Sequence, residues 1–286
     1  GKLRRATLEA AANCDVIHIQ TPFAAHYAGL HAARTLRKPV LASYHTLFEE
    51  YLQHYIPWLP AAMLRGLARR FSRGQCNALD AVIVPSTAMR QRLREYGVVR
   101  PPHVLPTGLP AAVFSPGDGP RFRADQGIAA DVPVVLFVGR VAHEKNIGFL
   151  LEAVALARRH RPDLLFLVTG EGPARPDLER QAARLGLSDH VRFLGYMDRH
   201  RELPAAYAAA DAFVFASRTE TQGLVLLEAM AQGCPAVALS VMGTADILEP
   251  GRGCRIAPDD SAGFAGTLVA LLNDADARVR HGEEAR

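Results

Sequence analysis

The chain has 286 residues, of which 49% are hydrophobic and 22% are charged, so it is long enough for two domains and is neither disordered nor collagen-like. Charge is divided unevenly: residues 1–116 hold 14 basic and 6 acidic side chains, net +8, whereas residues 117–286 hold 19 and 23, net −4. The basic first half predicts an anionic partner, which from charge alone is a phosphorylated substrate, a membrane surface or a nucleic acid.

Short apolar runs alternate with longer amphipathic runs along the first half, a pattern typical of a parallel sheet covered by helices. The longest helix is predicted from about Ala61 to Leu79. A Gly- and Pro-rich segment at residues 115–120 follows, and the alternation then restarts, so we predict domains at 1–116 and 117–286. The strands predicted in the first half are Val16–Ile19, Val40–Ser43, Ala81–Val84 and Val104–Leu105.

The second half shows the same alternation more clearly, and each predicted strand ends in a loop rich in Gly, Ser, Thr or charge. Because ligands of open α/β sheets lie beyond the carboxyl ends of the strands, we expect these loops to share one edge. The predicted strands are Val134–Val138, Leu164–Val168, Val191–Phe193, Ala212–Ala216 and Ala236–Leu239. The predicted helices lie near Ile147–Arg159, Ala174–Leu185, Glu202–Ala209 and Leu224–Gln232.

The four cysteines are far apart and form no Cys-x-x-Cys pair, which argues against zinc ribbons and disulfide scaffolds. The sequence also has no run of 18 consecutive apolar residues, about the length that a membrane helix needs. These two features predict a protein of the reducing cytoplasm.

The segment from Glu220 to Glu228 is the first candidate for chemistry at the shared edge. It follows an apolar strand and leads into a helix, which places Glu220 in the turn and Glu228 on the helix. The backbone amides of Gln222, Gly223 and Leu224 would form the helix N-terminus, a natural site for phosphate or a sugar hydroxyl. Taken alone, the spacing also fits an arrangement without a ligand, in which Glu220 caps the helix and Glu228 is a solvated side chain on its face.

A second candidate lies in the loop that follows the first strand of the second half. Arg140 and Lys145 both fall in this loop, and Lys145 is the only lysine after residue 38. Two cations at a strand end can hold a diphosphate, the arginine by its planar fork and the lysine as a point charge.

In combination these segments resemble the retaining glycosyltransferases of family four, which have the GT-B fold: α/β, with two Rossmann-like doubly wound domains that face a cleft. The matching motifs recur in order over residues 132–258, and such a series is specific to the family. They are Val-Gly-Arg140 with Lys145, Thr-Gly-Glu-Gly-Pro173, Val-Arg-Phe-Leu-Gly195, Ala-Asp211, and Glu220-Thr-Gln-Gly-Leu-Val-Leu-Leu-Glu-Ala-Met-Ala-Gln-Gly-Cys-Pro235.

The resemblance implies a role for each matching residue. Arg140 and Lys145 would neutralise the diphosphate of a nucleotide sugar, and Glu228 would bind the ribose hydroxyls. Glu220, with the amides of residues 222–224, would hold the donor sugar. Because fixed cations and a helix N-terminus stabilise the charge that builds up on the departing diphosphate, neither a metal nor another cofactor is expected.

The first half resembles the same family more selectively, and looks most like the bacterial transferases that glucosylate diacylglycerol. Gln222, where many relatives carry Phe, points to the same branch. The resemblance implies that His45 contacts the donor sugar or the acceptor hydroxyl; a structural histidine that caps a strand is the alternative. The matching segments are Asp15-Val-Ile-His-Ile-Gln-Thr-Pro-Phe23, Ser-Tyr-His45-Thr-Leu-Phe-Glu-Glu-Tyr51, Val-Pro-Ser86 and Leu-Pro-Thr-Gly108.

The first domain of this family normally opens with a β-strand and a Gly-rich loop that touches the donor phosphates, and neither precedes Asp15. We therefore expect the first domain to be incomplete, and the chain to be an N-terminally truncated fragment that is inactive by itself.

The helix predicted through residues 63–73 carries Arg65, Arg69 and Arg73 at a spacing of four. A basic amphipathic helix of this form can lie on an anionic bilayer, whereas the ordinary reading is a domain helix with a solvated basic face. No nucleic-acid partner is expected, because the sequence lacks an aromatic-studded basic strand or a helix-turn-helix. The apolar stripe beside the arginines consists of Met63, Leu64, Leu67 and Phe71.

Asp274-Ala-Asp276 looks like the metal-binding Asp-x-Asp of the other large glycosyltransferase fold. It follows the apolar residues 271–272 in a helix-ending context near residue 286. We therefore predict a surface turn rather than a metal site.

Together these features predict a hexosyltransferase that moves glucose from a UDP-linked donor, with retention, to a lipid such as diacylglycerol at the inner face of the cytoplasmic membrane. Two alternatives within the enzyme class stay open: mannosyl transfer from GDP-mannose to a phospholipid, and transfer to a polyprenol-linked or soluble glycan. A third alternative, outside the enzyme class, is an inactive nucleotide-binding remnant that acts as an interaction module.

Overall fold

A computed structural model of the chain describes residues 1–47, 60–250 and 252–286. They form two compact units, Gly1–Thr107 and Gly108–Arg286. The first unit ends at Thr107, earlier than the boundary predicted after residue 116. The reason is that the side chain of Gln232, in the second unit, binds the backbone of residues 113–117. Its amide nitrogen donates to the carbonyl oxygens of Val113 and Ser115 at 2.6 and 2.9 Å, and its oxygen accepts from the Gly117 amide at 2.9 Å.

The first unit contains a four-stranded sheet in the order β1-β2-β3-β4, with every pair parallel. The first three predicted strands are confirmed to within one residue, and the fourth lies slightly earlier than predicted. The strands are β1 (Ile17–Ile19), β2 (Val40–Ser43), β3 (Ala81–Val84) and β4 (Pro102–Val104). The helices are α1 (Lys2–Ala11), α2 (Ala24–Leu36), α3 (Ala61–Asn77) and α4 (Thr87–Glu95).

The second unit contains a six-stranded parallel sheet in the order β10-β9-β8-β5-β6-β7. The five strands predicted here are confirmed, and β10 is an addition to them. The strands are β5 (Val134–Val138), β6 (Leu165–Thr169), β7 (Val191–Gly195), β8 (Ala212–Phe215), β9 (Ala236–Ala238) and β10 (Cys254–Ile256). The helices are α5 (Gly119–Asp125), α6 (Ile147–Ala157), α7 (Arg175–Arg184), α8 (Glu202–Ala209), α9 (Leu224–Ala231), α10 (Ser261–Leu272) and α11 (Ala275–Ala285).

The order of the second sheet is that of a Rossmann fold, in which the chain starts in the middle and builds outward in both directions. Strand β5 pairs with β6 on one side and with β8 on the other, so the topological switch point lies between β5 and β8. Helices α6, α7 and α10 pack together, and α5, α8 and α9 form a second group. The central strands are buried on both sides: all five residues of β5 and of β6 are buried.

Helix α3 does not present the apolar stripe predicted from its sequence. Leu64 is only 2% exposed and belongs to the core, so the expectation that it enters a bilayer is wrong. Leu64 lies on the same inward-facing side of the helix as Ala68 and Ser72, whereas Met63 and Leu67 are 46% and 53% exposed. The buried stripe therefore separates the exposed apolar residues from the arginines on its other flank.

No helix within the described ranges is both long and apolar enough to cross a membrane. The Asp274-Ala-Asp276 segment begins helix α11. The carboxylate of Asp274 accepts a hydrogen bond from the Ala277 amide at 2.8 Å and thereby caps this helix, while Asp276 is exposed in its first turn.

Candidate functional site

The loops that follow β5 and β8 meet at the switch point of the second sheet. Gly139 and Gly170 allow the loops after β5 and β6 to approach closely. A Cβ atom added to Gly170 would lie 2.0 Å from the carbonyl oxygen of Gly139. The φ of Gly170, +118°, also favours glycine. The backbone here is therefore held close to the point where an α/β sheet binds its ligand.

Lys145 and Glu220, 75 residues apart in sequence, form an ion pair across the switch point. The ammonium Nζ lies 2.6 Å from a carboxylate oxygen of Glu220, and both side chains are mostly buried, at 19% and 18% exposure. Asn146, at a left-handed φ of +57°, fixes the lysine loop by donating to the carbonyl oxygen of Ala216 at 3.1 Å. A cation and an acceptor carboxylate are thus held side by side.

Arg140 comes immediately after β5 and forms an ion pair with Glu144. The arginine side chain is 46% exposed, whereas that of Glu144 is 7% exposed. The buried carboxylate accepts a hydrogen bond from Nη2 of Arg140 and so helps to orient the guanidinium. The structure places Arg140 and Lys145 in the same loop after β5, as the sequence predicts.

Helix α9 begins at Leu224, shortly after Glu220, and its start is shaped by two glycines. Gly223 precedes the first helical residue with a φ of +91°, a conformation that costs glycine little. Gly243 lets a neighbouring turn pack on this loop, since a side chain there would lie 2.1 Å from the carbonyl oxygen of Thr221. Gln222 is 8% exposed. The first amides of α9, including that of Leu224, are unpaired within the helix, as at every helix N-terminus.

Glu228 lies in the second turn of α9 and is only 5% exposed. It forms an ion pair with Arg199, and its second oxygen accepts a hydrogen bond from the Tyr207 hydroxyl at 3.2 Å. The alternative of a solvated glutamate is therefore ruled out, because this carboxylate is buried and held by two donors. Sequence reasoning missed both partners, since neither belongs to a motif that marks a contact with α9.

His45 lies just beyond the end of β2 in the first unit and is exposed. Desolvation by neighbouring groups, and then the charge of His18, lower the pKa of His45 below its usual value. His18 is hydrogen-bonded to the Ser43 hydroxyl at 2.8 Å. A cavity of about 50 Å³, whose lining includes His45, Ser43 and Gln75, lies at this end of the first sheet.

Three of the four arginines of α3, Arg65, Arg69 and Arg73, lie along one flank of that helix. The guanidinium of Arg69 lies over the ring of Tyr96, 5.6 Å from its centre, and the Arg73 side chain passes beside Gly97. Arg65 is half-buried, whereas Arg69 and Arg73 are exposed. The arginines thus form one basic face that also packs on the end of α4.

Two Rossmann-like units of parallel strands, the second with cations and carboxylates at its switch point, define a glycosyltransferase of the GT-B type. Two family models cover the chain: "Glycosyltransferase Family 4" matches residues 2–112, and "Glycosyl transferases group 1" matches residues 118–286. The chain belongs to family four of the retaining glycosyltransferases.

Named relatives and a solved structure agree with this assignment. The chain is 36% identical to the alpha-monoglucosyldiacylglycerol synthase of Streptococcus pneumoniae, over 78% of this chain and 51% of that protein. It is also 36% identical to the D-inositol 3-phosphate glycosyltransferase of Nocardia farcinica, over 76% and 50% of the two chains. Anabaena Alr3699/HepE, solved in complex with UDP and glucose, has the same fold at a TM-score of 0.84 and 22% identity, over 100% of this chain and 75% of that one. The chain spans about half the length of the two curated relatives.

Proposed function

We propose that the protein transfers glucose from UDP-glucose, with retention at the anomeric carbon, to a lipid acceptor such as diacylglycerol. The observation that carries this proposal is the Lys145–Glu220 ion pair beside the start of α9. It places a cation and a carboxylate beside a helix N-terminus, where a sheet of this topology binds its ligand. The synthase of S. pneumoniae, named for a glucosylated diacylglycerol, supports the choice of sugar and acceptor.

The arrangement suits departure of a nucleoside diphosphate. As the bond between the anomeric carbon and the diphosphate breaks, negative charge builds up on the phosphate oxygens. Lys145, Arg140 and the amides of residues 222–224 stabilise that charge. Glu220 accepts hydrogen bonds from the donor sugar, and Glu228 accepts those of the ribose. These residues need no metal or other cofactor to neutralise the diphosphate.

His45 of the first unit is assigned to the donor sugar or the acceptor hydroxyl. Its lowered pKa means that the imidazole is neutral near pH 7, so one ring nitrogen can accept a hydrogen bond while the other donates. A neutral imidazole can therefore orient a hydroxyl group. Retention requires the new bond to form on the face that the diphosphate leaves.

A lipid acceptor requires access to a membrane surface, and we assign that contact to the basic face of α3. Arg65, Arg69 and Arg73 would attract anionic headgroups, each by about 1 kcal/mol when close to the surface. The exposed Met63 and Leu67 supply apolar contact on the other flank. The proposed location is therefore peripheral, at the inner face of the cytoplasmic membrane.

A second acceptor class is favoured by one specific observation: the inositol 3-phosphate glycosyltransferase of N. farcinica is as similar to this chain as the diacylglycerol enzyme. Its name indicates a soluble, phosphorylated cyclic alcohol as acceptor. The basic first half suits such an anion as well as a membrane. Acceptor identity is therefore the part of the proposal that most needs a direct assay.

The donor is tested by thermal shift of the full-length protein with UDP-, GDP- and ADP-sugars. At a ligand concentration of about 100 times Kd, binding adds roughly 2.7 kcal/mol of stability, which is easily measured. We expect the largest shift with UDP-glucose. A larger shift with GDP-mannose would replace the donor assignment.

The acceptor is tested by incubating labelled UDP-glucose with detergent-dispersed diacylglycerol and, separately, with inositol 3-phosphate. We expect label in the lipid product and an α-linkage. Label only in the soluble product would select the second acceptor class. Donor binding without any transfer would favour the nucleotide-binding remnant over an active enzyme.

A further inference from the structure

Glu228 is a buried carboxylate that uses only part of its hydrogen-bonding capacity in contacts with the described residues. One oxygen is held by the guanidinium of Arg199 and the other by the hydroxyl of Tyr207, at 3.2 Å. An ionised carboxylate has about four acceptor positions, two on each oxygen. These contacts occupy one position on each oxygen and hold the group in one orientation.

Tyr207 serves this carboxylate as a hydrogen-bond donor. Burial raises the pKa of Tyr207 well above its ordinary value, and the charge of Glu228 and the hydrogen bond to it act in the same direction. The hydroxyl therefore stays protonated and donates a hydrogen bond to Glu228. Tyr207 is 2% exposed, so its ring is fixed by packing and cannot swing away.

Arg199 provides the charge that a buried carboxylate needs. An ionised carboxylate out of water is strongly destabilised unless a cation compensates it. The side chain of Arg199 is 52% exposed, in contrast to 7% for that of Glu228, so the cation covers the carboxylate from the solvent side. Arg199, Tyr207 and Glu228 line one recess with Leu203 and Gln232.

We propose that Arg199 and Tyr207 are positioning residues, which hold the Glu228 carboxylate so that one acceptor position on each oxygen is left for the vicinal hydroxyls of a ribose. This inference rests on the proposed function, because it deepens the role of Glu228 in the nucleotide site. Vicinal hydroxyls present two donors at a fixed spacing, which matches two acceptor positions on a carboxylate of fixed orientation. A purely structural ion pair would have no effect on ribose recognition.

The test compares binding of UDP and 2′-deoxy-UDP by calorimetry in the full-length protein. We expect the unchanged protein to prefer UDP by about tenfold, the effect of one hydrogen bond to a charged group. In Arg199→Ala and in Tyr207→Phe the preference should fall to about threefold or less, because Glu228 is no longer fixed. Arg199→Lys, which keeps the charge, should recover part of the preference.

Arg201→Ala is the matched control. Arg201 lies on the same loop, is 87% exposed and pairs only weakly with Asp198, at 3.8 Å. This variant should keep the full preference for UDP. Thermal unfolding of each variant shows whether it is folded. If Arg199→Ala is not folded, the test rests on Tyr207→Phe and Arg199→Lys.

The outcomes separate this inference from the proposed function. Absence of UDP binding by the unchanged protein would overturn the proposed function and this inference with it. Binding of UDP with no preference over 2′-deoxy-UDP would overturn the inference alone. So would a tenfold preference that survives in the folded variants, since Arg199 and Tyr207 would then be merely structural.

Discussion

At the scale of single residues, the charged groups of the site are paired with one another. Lys145 pairs with Glu220 and Arg140 with Glu144. An incoming diphosphate must therefore compete with a carboxylate for each cation. The exchange of partners is favourable because a diphosphate carries more charge than a carboxylate and accepts hydrogen bonds from the helix N-terminus as well.

Lys145→Ala and Arg140→Ala should each remove a charge-assisted contact of roughly 1.5 to 3 kcal/mol, and so lower kcat/KM by about one to two decades or more. EDTA should have no comparable effect, since the cations neutralise the diphosphate. Steady-state kinetics with UDP-glucose measures both. Arg180→Ala, at an exposed residue paired with Asp177 on α7, is the control. Full activity in both variants, or loss of activity in EDTA, would reject the diphosphate site.

The two glutamates should behave differently. Glu228→Ala should weaken binding of free UDP because the ribose loses its acceptor, and it should lower Tm because the buried Tyr207 hydroxyl loses its partner, at a cost of about 1 to 3 kcal/mol. Glu220→Ala should depress turnover and leave UDP binding nearly intact. Calorimetry and product formation separate the two effects. Equal behaviour in both assays would mean that the roles are misassigned.

At the scale of secondary-structure elements, the start of α9 depends on a turn that lies after β9. The amide of Gly243 donates to the carbonyl oxygen of Glu220 at 2.8 Å. The Gly243 backbone also lies against Thr221 and Gln222. Two separate connections, after β8 and after β9, therefore set the position of the helix N-terminus together.

Gly243→Ala should disrupt donor binding. Its new Cβ would lie 2.1 Å from the carbonyl oxygen of Thr221 and 2.5 Å from the amide nitrogen of Gln222, so the loop before α9 must move. We expect weaker UDP-glucose binding and a Tm loss equivalent to about 1 to 3 kcal/mol. Gly266→Ala, on an exposed turn of α10 with no atom within 4 Å of its Cβ, should be neutral or stabilising by up to about 1 kcal/mol. An unchanged affinity in Gly243→Ala would show that this loop does not position the donor.

At the scale of the whole molecule, positive charge is concentrated in the first half, and α3 carries four of its arginines, Arg65, Arg69, Arg70 and Arg73. Replacing Arg65, Arg69 and Arg73 by Gln should release the full-length protein from anionic liposomes. Binding of the unchanged protein should weaken with salt, because exposed charges are screened over about 8 Å at physiological ionic strength. Sedimentation with anionic and neutral liposomes measures this, and transfer to a detergent-dispersed acceptor should stay largely unchanged.

The matched control removes three other arginines of the first unit, Arg90, Arg92 and Arg94 of α4, by the same change to Gln. If both triple variants lose binding equally, the attraction is due to overall charge and not to the face of α3. If the unchanged protein binds neutral and anionic liposomes alike, or neither, the basic face of α3 is an ordinary solvated surface.

The sequence by itself located nine of the ten strands in the described residues, the two Rossmann-like units and the segments that carry the candidate site. Apolar runs of five residues such as 134–138 are short and bounded by polar loops, so local pattern was enough to locate β5. The motif from Glu220 to Pro235 was enough to place a carboxylate before α9 and another on it. These features are local, and local chemistry is what a sequence shows directly.

Only the tertiary structure decided which charges meet and which faces are buried. Lys145 and Glu220 are brought together because β5 and β8 are neighbours in the sheet. The local sequence around neither residue indicates this strand order. Arg199 and Tyr207 reach Glu228 because the chain after β7 returns beside α9. Leu64 is buried because α3 turns that side toward the core. Each depends on packing between distant segments, and helical or strand periodicity carries no information about which segments become neighbours.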